Sequence, residues 1–262
     1  MPIINAQIKG QGGVQPSGTI TVQNNGTYDV TNYAVADVQV PSSAPAHYIE
    51  KTVDANGKLV NGTSIINFNG VTDVGDYMLY CAYYKNTSIS GAVDMSALTA
   101  LSGSYSCYQM FNDCTGITSL DLSSLTTISG NSGCNYMFYG CAGLTSVDLS
   151  SLTTMSGSSA CSNMFYNCVN LTSVDLSGLT TINNSSACNS MFGYCTSLAT
   201  VYIGNTTAID FGTYTNQFKN MFSGCAQNID VYAPAASQST IESFSDYPNF
   251  GGTGTVTWHW RS

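Results

Sequence analysis

Leu144-Thr-Ser-Val-Asp-Leu-Ser-Ser-Leu-Thr-Thr-Met155, then a short Ser/Gly stretch, then Cys161-Ser-Asn-Met-Phe-Tyr-Asn-Cys168, is the passage that decides the fold. The same phrase recurs every 27 residues. Asp94, Asp121, Asp148 and Asp175 fall in register, as do Met110-Phe111, Met137-Phe138, Met164-Phe165 and Met191-Phe192. A period this regular marks a solenoid, in which each repeat buries its apolar face only against its neighbours. In Leu171-Thr-Ser-Val174-Asp-Leu176, Val174 and Leu176 alternate with Ser173 and Asp175, the two-residue period of a strand buried on one face. Cys188, Met191, Phe192 and Cys195 have the i, i+3, i+4, i+7 spacing of one helical face. Each repeat is therefore expected to pair a short strand with a short helix around a shared core, giving an α/β repeat solenoid.

Working outward, the register extends in both directions. Asn67-Phe-Asn-Gly-Val-Thr-Asp-Val74 aligns one period before Asp94, and Tyr83-Tyr84 takes the later Met-Phe position. At the far end Tyr202 replaces the aspartate, and three extra residues precede Phe218-Lys-Asn-Met-Phe-Ser-Gly-Cys225. Ile229-Asp-Val-Tyr232 reads as the last repeat strand. Residues 62–233 are thus assigned to repeats, and end repeats need caps to cover their apolar faces and strand edges. A hairpin of Tyr48–Val53 and Lys58–Val60 around Asp54-Ala-Asn-Gly57 supplies the first cap, at residues 46–61. Residues 234–262 supply the second, with a helical turn at Gln238–Phe244 and an edge strand at Thr255–Trp260 whose indoles cover the last repeat.

The phrase Met-Phe-x-x-Cys-x-x-Leu-Thr-Ser-Val/Leu-Asp-Leu-Ser resembles the BspA-type leucine-rich repeats, including the mycoplasma-type surface repeats, over roughly residues 62–233. That resemblance implies a leucine-rich-repeat solenoid with a parallel β-sheet on one face, noncatalytic, with adhesion at a bacterial or viral surface as its usual role. One departure is the longer Ser/Gly/Asn stretch between strand and helix, such as Gly130-Asn-Ser-Gly133, which bears on the shape of the convex side.

Residues 1–45 differ from the rest, with alternating stretches and no cysteine. Thr19-Ile-Thr-Val22 and Thr27-Tyr-Asp-Val30 flank Asn24-Asn-Gly26, a strong hairpin signal because both turn residues tolerate positive φ. Val35-Ala-Asp-Val-Gln-Val40 adds a third strand, so a small antiparallel β module is expected, followed by the linker Pro41-Ser-Ser-Ala-Pro45. Ser17–Val30 with Tyr33–Val40 resembles a short β motif of structural and tail proteins from phages and prophages of Gram-positive bacteria. The resemblance implies an attachment or spacer module that contacts other virion proteins.

Composition narrows the classes of function. The chain is 43% hydrophobic, enough for a continuous core, yet only 8% charged, so its polar surface is built from Ser, Thr, Asn and Gly. Thirteen Asp and two Glu against six Lys plus Arg give a net charge of −9, which excludes a phosphate-binding face and hence nucleic acid as a partner. Apolar runs stay below the length of a membrane span, so membrane insertion is not expected. The start Met1-Pro-Ile-Ile-Asn-Ala-Gln-Ile-Lys9 lacks the basic and apolar regions of a secretory signal, so synthesis in the cytoplasm is expected.

Nine of the ten cysteines form two ladders, Cys107/134/161/188 and Cys114/141/168/195/225. Periodic buried cysteine acts as a small apolar filler, while disulfides between neighbouring repeats remain an alternative. Neither the spacing nor the two histidines, His47 and His259, makes a compact zinc site. Asp94, Asp121, Asp148 and Asp175 form a row of like charges on the expected solvent face of the sheet. Such a row is either a solvated face relieved by serine hydroxyls and water, or a site for calcium or a basic ligand. Tyr202 continues that row. Tyr108, Tyr136, Tyr139, Tyr166 and Tyr194 mark the second candidate surface, since tyrosine brings area and a polar tip.

The serines lack a partner base and Glu50 and Glu242 form no pair, so no catalytic, cofactor-binding or metal residues are assigned. The expected function is a noncatalytic phage virion or tail-associated structural protein whose repeats recognise a protein or a cell-surface glycan on the host. The alternatives are a BspA-type adhesin on a bacterial surface and an intracellular interaction or inhibitor module.

Overall fold

Alternation of buried and exposed residues repeats down the chain as the sequence pattern requires, and each alternating stretch becomes a strand. The computed structural model describes residues 72–262 other than Tyr77, Met78, Ala82, Asn86 and Ser88, together with two dipeptides, β1 (Ile20–Thr21) and β2 (Val38–Gln39), which pair in parallel. The rest of the expected β module at residues 1–45, the cap hairpin at 46–61 and positions 62–71 lie outside the described residues.

Each coil contributes one strand to a seven-stranded, all-parallel sheet. Its strands are β3 (Ser90–Asp94), β5 (Gly116–Asp121), β7 (Ser146–Asp148), β9 (Ser173–Leu176), β10 (Thr200–Ile203), β11 (Ile229–Pro234) and β12 (Val256–Arg261). The spatial order is β12-β11-β10-β9-β7-β5-β3, so successive coils are neighbours in space. After each main strand the chain turns a corner into a narrower parallel sheet of β4 (Ala100–Leu101), β6 (Thr127–Ile128) and β8 (Thr154–Met155). Single bridges at Asp73↔Ala100, Thr154↔Thr181 and Thr181↔Asp210 carry that sheet along the solenoid. Tyr202 pairs with Tyr232, thirty positions on, which places the three extra residues in the coil between β10 and β11.

Stacking in register turns each apolar position into a column. Leu122, Leu149 and Leu176 form one, each at most 1% exposed. Tyr83, Phe111, Phe138, Phe165, Phe192 and Phe222 form another, with successive rings near-parallel and 5.2, 5.3, 5.7, 6.0 and 6.1 Å apart. Burying one such side chain contributes roughly 1.5–3 kcal/mol.

The segment that closes each coil corrects the expected helix. Residues 103–114 and their counterparts are a run of tight turns, and the described coils contain no helix there. Tyr105, Gln109 and Asp113 have positive φ, as do Ser132, Tyr136 and Gly140, then Ser159, Asn163 and Asn167, then Ser186, Ser190 and Tyr194. Between these, the backbone divides its hydrogen bonds in strict alternation. Ser106, Tyr108, Met110, Asn112 and Cys114 donate N–H to the carbonyl three residues back. Tyr105, Cys107, Gln109, Phe111 and Asp113 donate to carbonyls of the next coil, at 2.6–3.0 Å.

The reason is dimensional. A helix is about 10–12 Å across, whereas coils joined by a parallel sheet are spaced by roughly 4.8 Å. The phenylalanine rings show that this side keeps nearly the sheet's spacing, and a turn ladder fits where helices would splay the coils. A four-residue turn period also buries Cys107, Met110, Phe111 and Cys114 together, so it imitates the apolar spacing of a helix. Gly130 is fixed by the same tightness: a Cβ there would lie 1.9 Å from the Gly103 carbonyl oxygen of the preceding coil.

The last coil is closed by a 3₁₀ turn (Ala235–Ser237), the helix α1 (Gln238–Glu242) and the returning strand β12. Phe244 and Phe250 pack edge-on against Phe218, and Trp258 packs edge-on against Phe250. These rings pack on Phe218, which takes the place of Cys188 one coil on, and cover the end of the core there. Among the described residues no helix is long and apolar enough to cross a membrane.

Candidate interaction faces

The sheet brings the predicted aspartates together as one row. Asp94 pairs with Asp121, Asp121 with Asp148, Asp148 with Asp175, and Asp175 with Tyr202. Beyond Tyr202 the row continues through Tyr232 to His259. Three of these carboxylates bond within their own coil. Oδ1 of Asp121, Asp148 and Asp175 accepts the backbone N–H of Ser123, Ser150 and Ser177, at 3.0, 2.9 and 2.8 Å. These are Asx turns, in which the side chain takes the place of a backbone acceptor at the corner between the two sheets. The Asp-Leu-Ser phrase is therefore explained by the corner itself, where a backbone N–H donates to one oxygen of each of these three carboxylates. Ser102 donates both its N–H and its hydroxyl to Asp73, at 2.9 and 2.6 Å, tying adjacent coils.

A shallow groove of about 480 Å³ opens on this sheet between β3, β5 and β7, bounded by Ala92, Ser119, Leu120, Asp121, Ser123 and Asp148. At this place β5 and β7 pair only through Asp121↔Asp148, and the β3–β5 register shifts between Gly91 and Ala92. Among the described residues no cluster of three or more His, Cys, Asp or Glu side chains is arranged to hold a metal ion.

At the C-terminal end the row changes character. Tyr202 and Tyr232 stack at 5.0 Å, and Tyr232 and His259 at 4.6 Å. Nε2 of His259 lies 2.8 Å from Oδ1 of Asp230. The Arg261 guanidinium sits 5.6 Å from the centre of the Tyr202 ring and donates to the Gly204 carbonyl. Sequence reading picked out Tyr202 but missed Tyr232, His259 and Arg261, which the thirty-residue coil brings into register.

The five tyrosines predicted near the repeat edge all lie on the turn ladder and form one cluster. Tyr80 stacks on Tyr108 at 5.1 Å, Tyr105 meets Tyr108 edge-on at 5.6 Å, and Tyr108 meets Tyr136 at 6.0 Å. Tyr136 then contacts Tyr139 at 5.7 Å, Tyr139 stacks on Tyr166 at 5.1 Å with 4° between planes, and Tyr166 contacts Tyr194 at 5.2 Å. Tyr80 and Tyr105 were not foreseen, and their inclusion makes seven rings in one contiguous ridge. Tyr80 and Tyr194, at its ends, are the most exposed. Partial burial, then the neighbouring tyrosines, push the Tyr108 and Tyr166 hydroxyls above the usual tyrosine range, so both stay protonated donors at neutral pH. Faces cover one another only in the stacked pairs Tyr80/Tyr108 and Tyr139/Tyr166, and the edge-on and tilted contacts leave a ridge of mixed ring faces, edges and hydroxyls.

All ten cysteines are buried thiols. The outer ladder has a role beyond filling space: Sγ–H of Cys114, Cys141, Cys168, Cys195 and Cys225 donates to the carbonyl of the aromatic residue one coil back, at 3.0–3.2 Å. Burial pushes Cys107 up to about 12 and holds Cys134, Cys141, Cys168, Cys188 and Cys195 well above the ordinary thiol range as well. For Cys134 a hydrogen bond with Cys161 is the largest cause, ahead of burial. Such thiols are poor nucleophiles and poor metal ligands.

Residues 108–245, more than half of the chain, match the BspA type leucine rich repeat region in six copies. The chain belongs to the BspA-type leucine-rich repeat family. Its coil has that family's parallel sheet and 27-residue spacing, with a turn ladder in place of a helix. No curated protein and no solved structure matches it. Repeats of this family are interaction or surface modules, typically noncatalytic, and protein binding is the general property that comes with them.

Proposed function

We propose that this BspA-type solenoid is a noncatalytic recognition module, that its partner is a protein, and that the tyrosine ridge from Tyr80 to Tyr194 is the contact surface. The ridge itself carries this reading. Seven tyrosines run across adjacent coils among Asn, Ser and Gly residues, the mixture that protein-binding loops use for rigid area and adaptable hydrogen bonds. The protein binding that comes with this repeat family favours a protein over a glycan as the partner. The acidic row is the lesser candidate, since Asp121, Asp148 and Asp175 each commit one carboxylate oxygen to a corner.

We place the module on a phage virion, attached through residues 1–45 and directed at the host cell. The support is the resemblance of Ser17–Val40 to phage structural and tail motifs, together with a repeat family used at surfaces. The test has two arms. Labelled full-length protein is measured for binding to host cells, with Tyr136→Ala/Tyr166→Ala expected to weaken binding more than tenfold and Asp148→Asn to leave it unchanged. Equal binding by both variants refutes the ridge, and mass spectrometry of purified virions that never contain the chain refutes the location.

A further inference from the structure

The last strand of the main sheet, β12 (Val256–Arg261), has a neighbour on one side only among the described residues. It runs beside β11 for six consecutive register pairs without a bulge. Natural sheets protect such an edge with proline, lysine, a bulge or a covering segment, because an open row of N–H and C=O groups pairs with other chains. The stretch Val256-Thr-Trp-His-Trp260 contains none of these residues.

The direction of each backbone group can be read from the ladder. Ile229 donates its N–H to the Thr255 carbonyl, so odd-numbered residues of β12 face β11 and even-numbered ones face outward. Val256 agrees: its N–H points away from β11 and is capped by Oδ1 of Asn249 at 3.4 Å. Trp258 and Trp260 are then the strand residues whose N–H and C=O both remain outward.

We infer that β12 is a self-association edge, pairing antiparallel with β12 of a second copy about a two-fold axis through His259, with Trp258 opposite Trp260. Three observations select that occupant. In an antiparallel pair, opposing residues both turn their N–H and C=O to the partner; an axis through His259 sets Trp258 against Trp260, whereas one through Trp258 needs the Val256 N–H that Asn249 caps, and one through Trp260 sets Trp258 against Ser262, outside β12. The side chains that would crowd or repel a copy are drawn back over their own sheet, His259 onto Asp230 and Tyr232, and Arg261 onto Tyr202 and Gly204. The indoles of Trp258 and Trp260, stacked at 5.5 Å and half-buried against the core, gain cover on their open side from the same pair across the axis. The contact is isologous and closes at two chains.

The experiment is analytical ultracentrifugation of the full chain over a concentration series, with amide hydrogen exchange at each concentration. A monomer–dimer equilibrium is expected, with the amides of Trp258 and Trp260 becoming protected as dimer forms. Trp260→Pro removes the outward N–H together with the indole and should abolish the dimer, while Trp260→Val removes the indole alone, keeps that N–H and should retain a weaker dimer. Circular dichroism melts identify either variant that fails to fold, in which case the wild-type exchange pattern decides. A chain that stays monomeric, a dimer that survives in folded Trp260→Pro, or a dimer that leaves both tryptophan amides unprotected overturns the inference.

Discussion

Raising the pH above about 9 should unfold this protein over a narrow interval, and the buried thiol ladders set the size of the effect. Burial holds Cys107, Cys141, Cys168, Cys188 and Cys195 above the ordinary thiol value of roughly 8.5, and a hydrogen bond with Cys161, then burial, does the same for Cys134. Below that value both folded and unfolded chains keep these protons, and the stabilisation is fully present. Above it the unfolded chain releases them while the folded chain does not, so the unfolded state gains about 1.4 kcal/mol per thiol for each further pH unit. Six thiols together weaken the fold by roughly 8 kcal/mol per unit, against a total stability of about 5–15 kcal/mol for a domain. The loss continues until the folded thiols ionise, near 12 for Cys107. Urea titrations followed by circular dichroism between pH 8 and 10.5 measure the slope directly. Stability that stays level through pH 10, or rapid reaction of the native thiols with a thiol reagent at pH 8, would refute the assignment of these cysteines to a dry core.

Three further outcomes test the packing. Phe165→Ala, which removes one ring from the middle of the aromatic column, should cost roughly 3–5 kcal/mol in chemical unfolding; a loss under about 1 kcal/mol would mean the stack collapses around the gap. Gly130→Ala forces a methyl against the Gly103 carbonyl and should lower stability by about 1–3 kcal/mol, with a drop in Tm visible by calorimetry. Asp148→Ala should lose about 0.5–2 kcal/mol with its Asx turn while Asp148→Asn keeps most of it; equal losses would show that charge, not the hydrogen bond to Ser150, is what matters.

Much of the repeat was legible because solenoid packing writes itself in the sequence one coil at a time. Val174 and Leu176 alternate with Ser173 and Asp175 because the strand has one wet face, and the register of Asp121, Asp148 and Asp175 is the register of the sheet. The turn ladder was not legible from apolar spacing, since Cys188, Met191, Phe192 and Cys195 line up equally well in a helix or in a four-residue turn period. Its signal lay in the positions between: Ser, Asn or Gly occupies most of the positive-φ sites, at Ser132, Gly140, Ser159, Asn163, Asn167, Ser186 and Ser190. Five of the seven ridge tyrosines were found from sequence, but their contact was not, because Tyr136 and Tyr139 come from one coil and Tyr166 and Tyr194 from two others. The thiol hydrogen bonds were hidden for a related reason: a cysteine that fills space and one that also caps the preceding coil's carbonyl leave the same mark in the sequence.

The turn ladder has a consequence for how such a protein changes length. Five N–H groups of one coil's turn segment reach into the next, and the sheet does the same on its own side, so each coil offers the following one a complete template. Duplicating or deleting one coil's worth of sequence joins like to like. The two ends would move apart or together by roughly 5 Å, while the corners, the aromatic column and the closing phenylalanines are met unchanged. Coil number can therefore serve as a ruler, adjusted in steps by recombination between repeats, that sets how far the tyrosine ridge extends without redesign of either end.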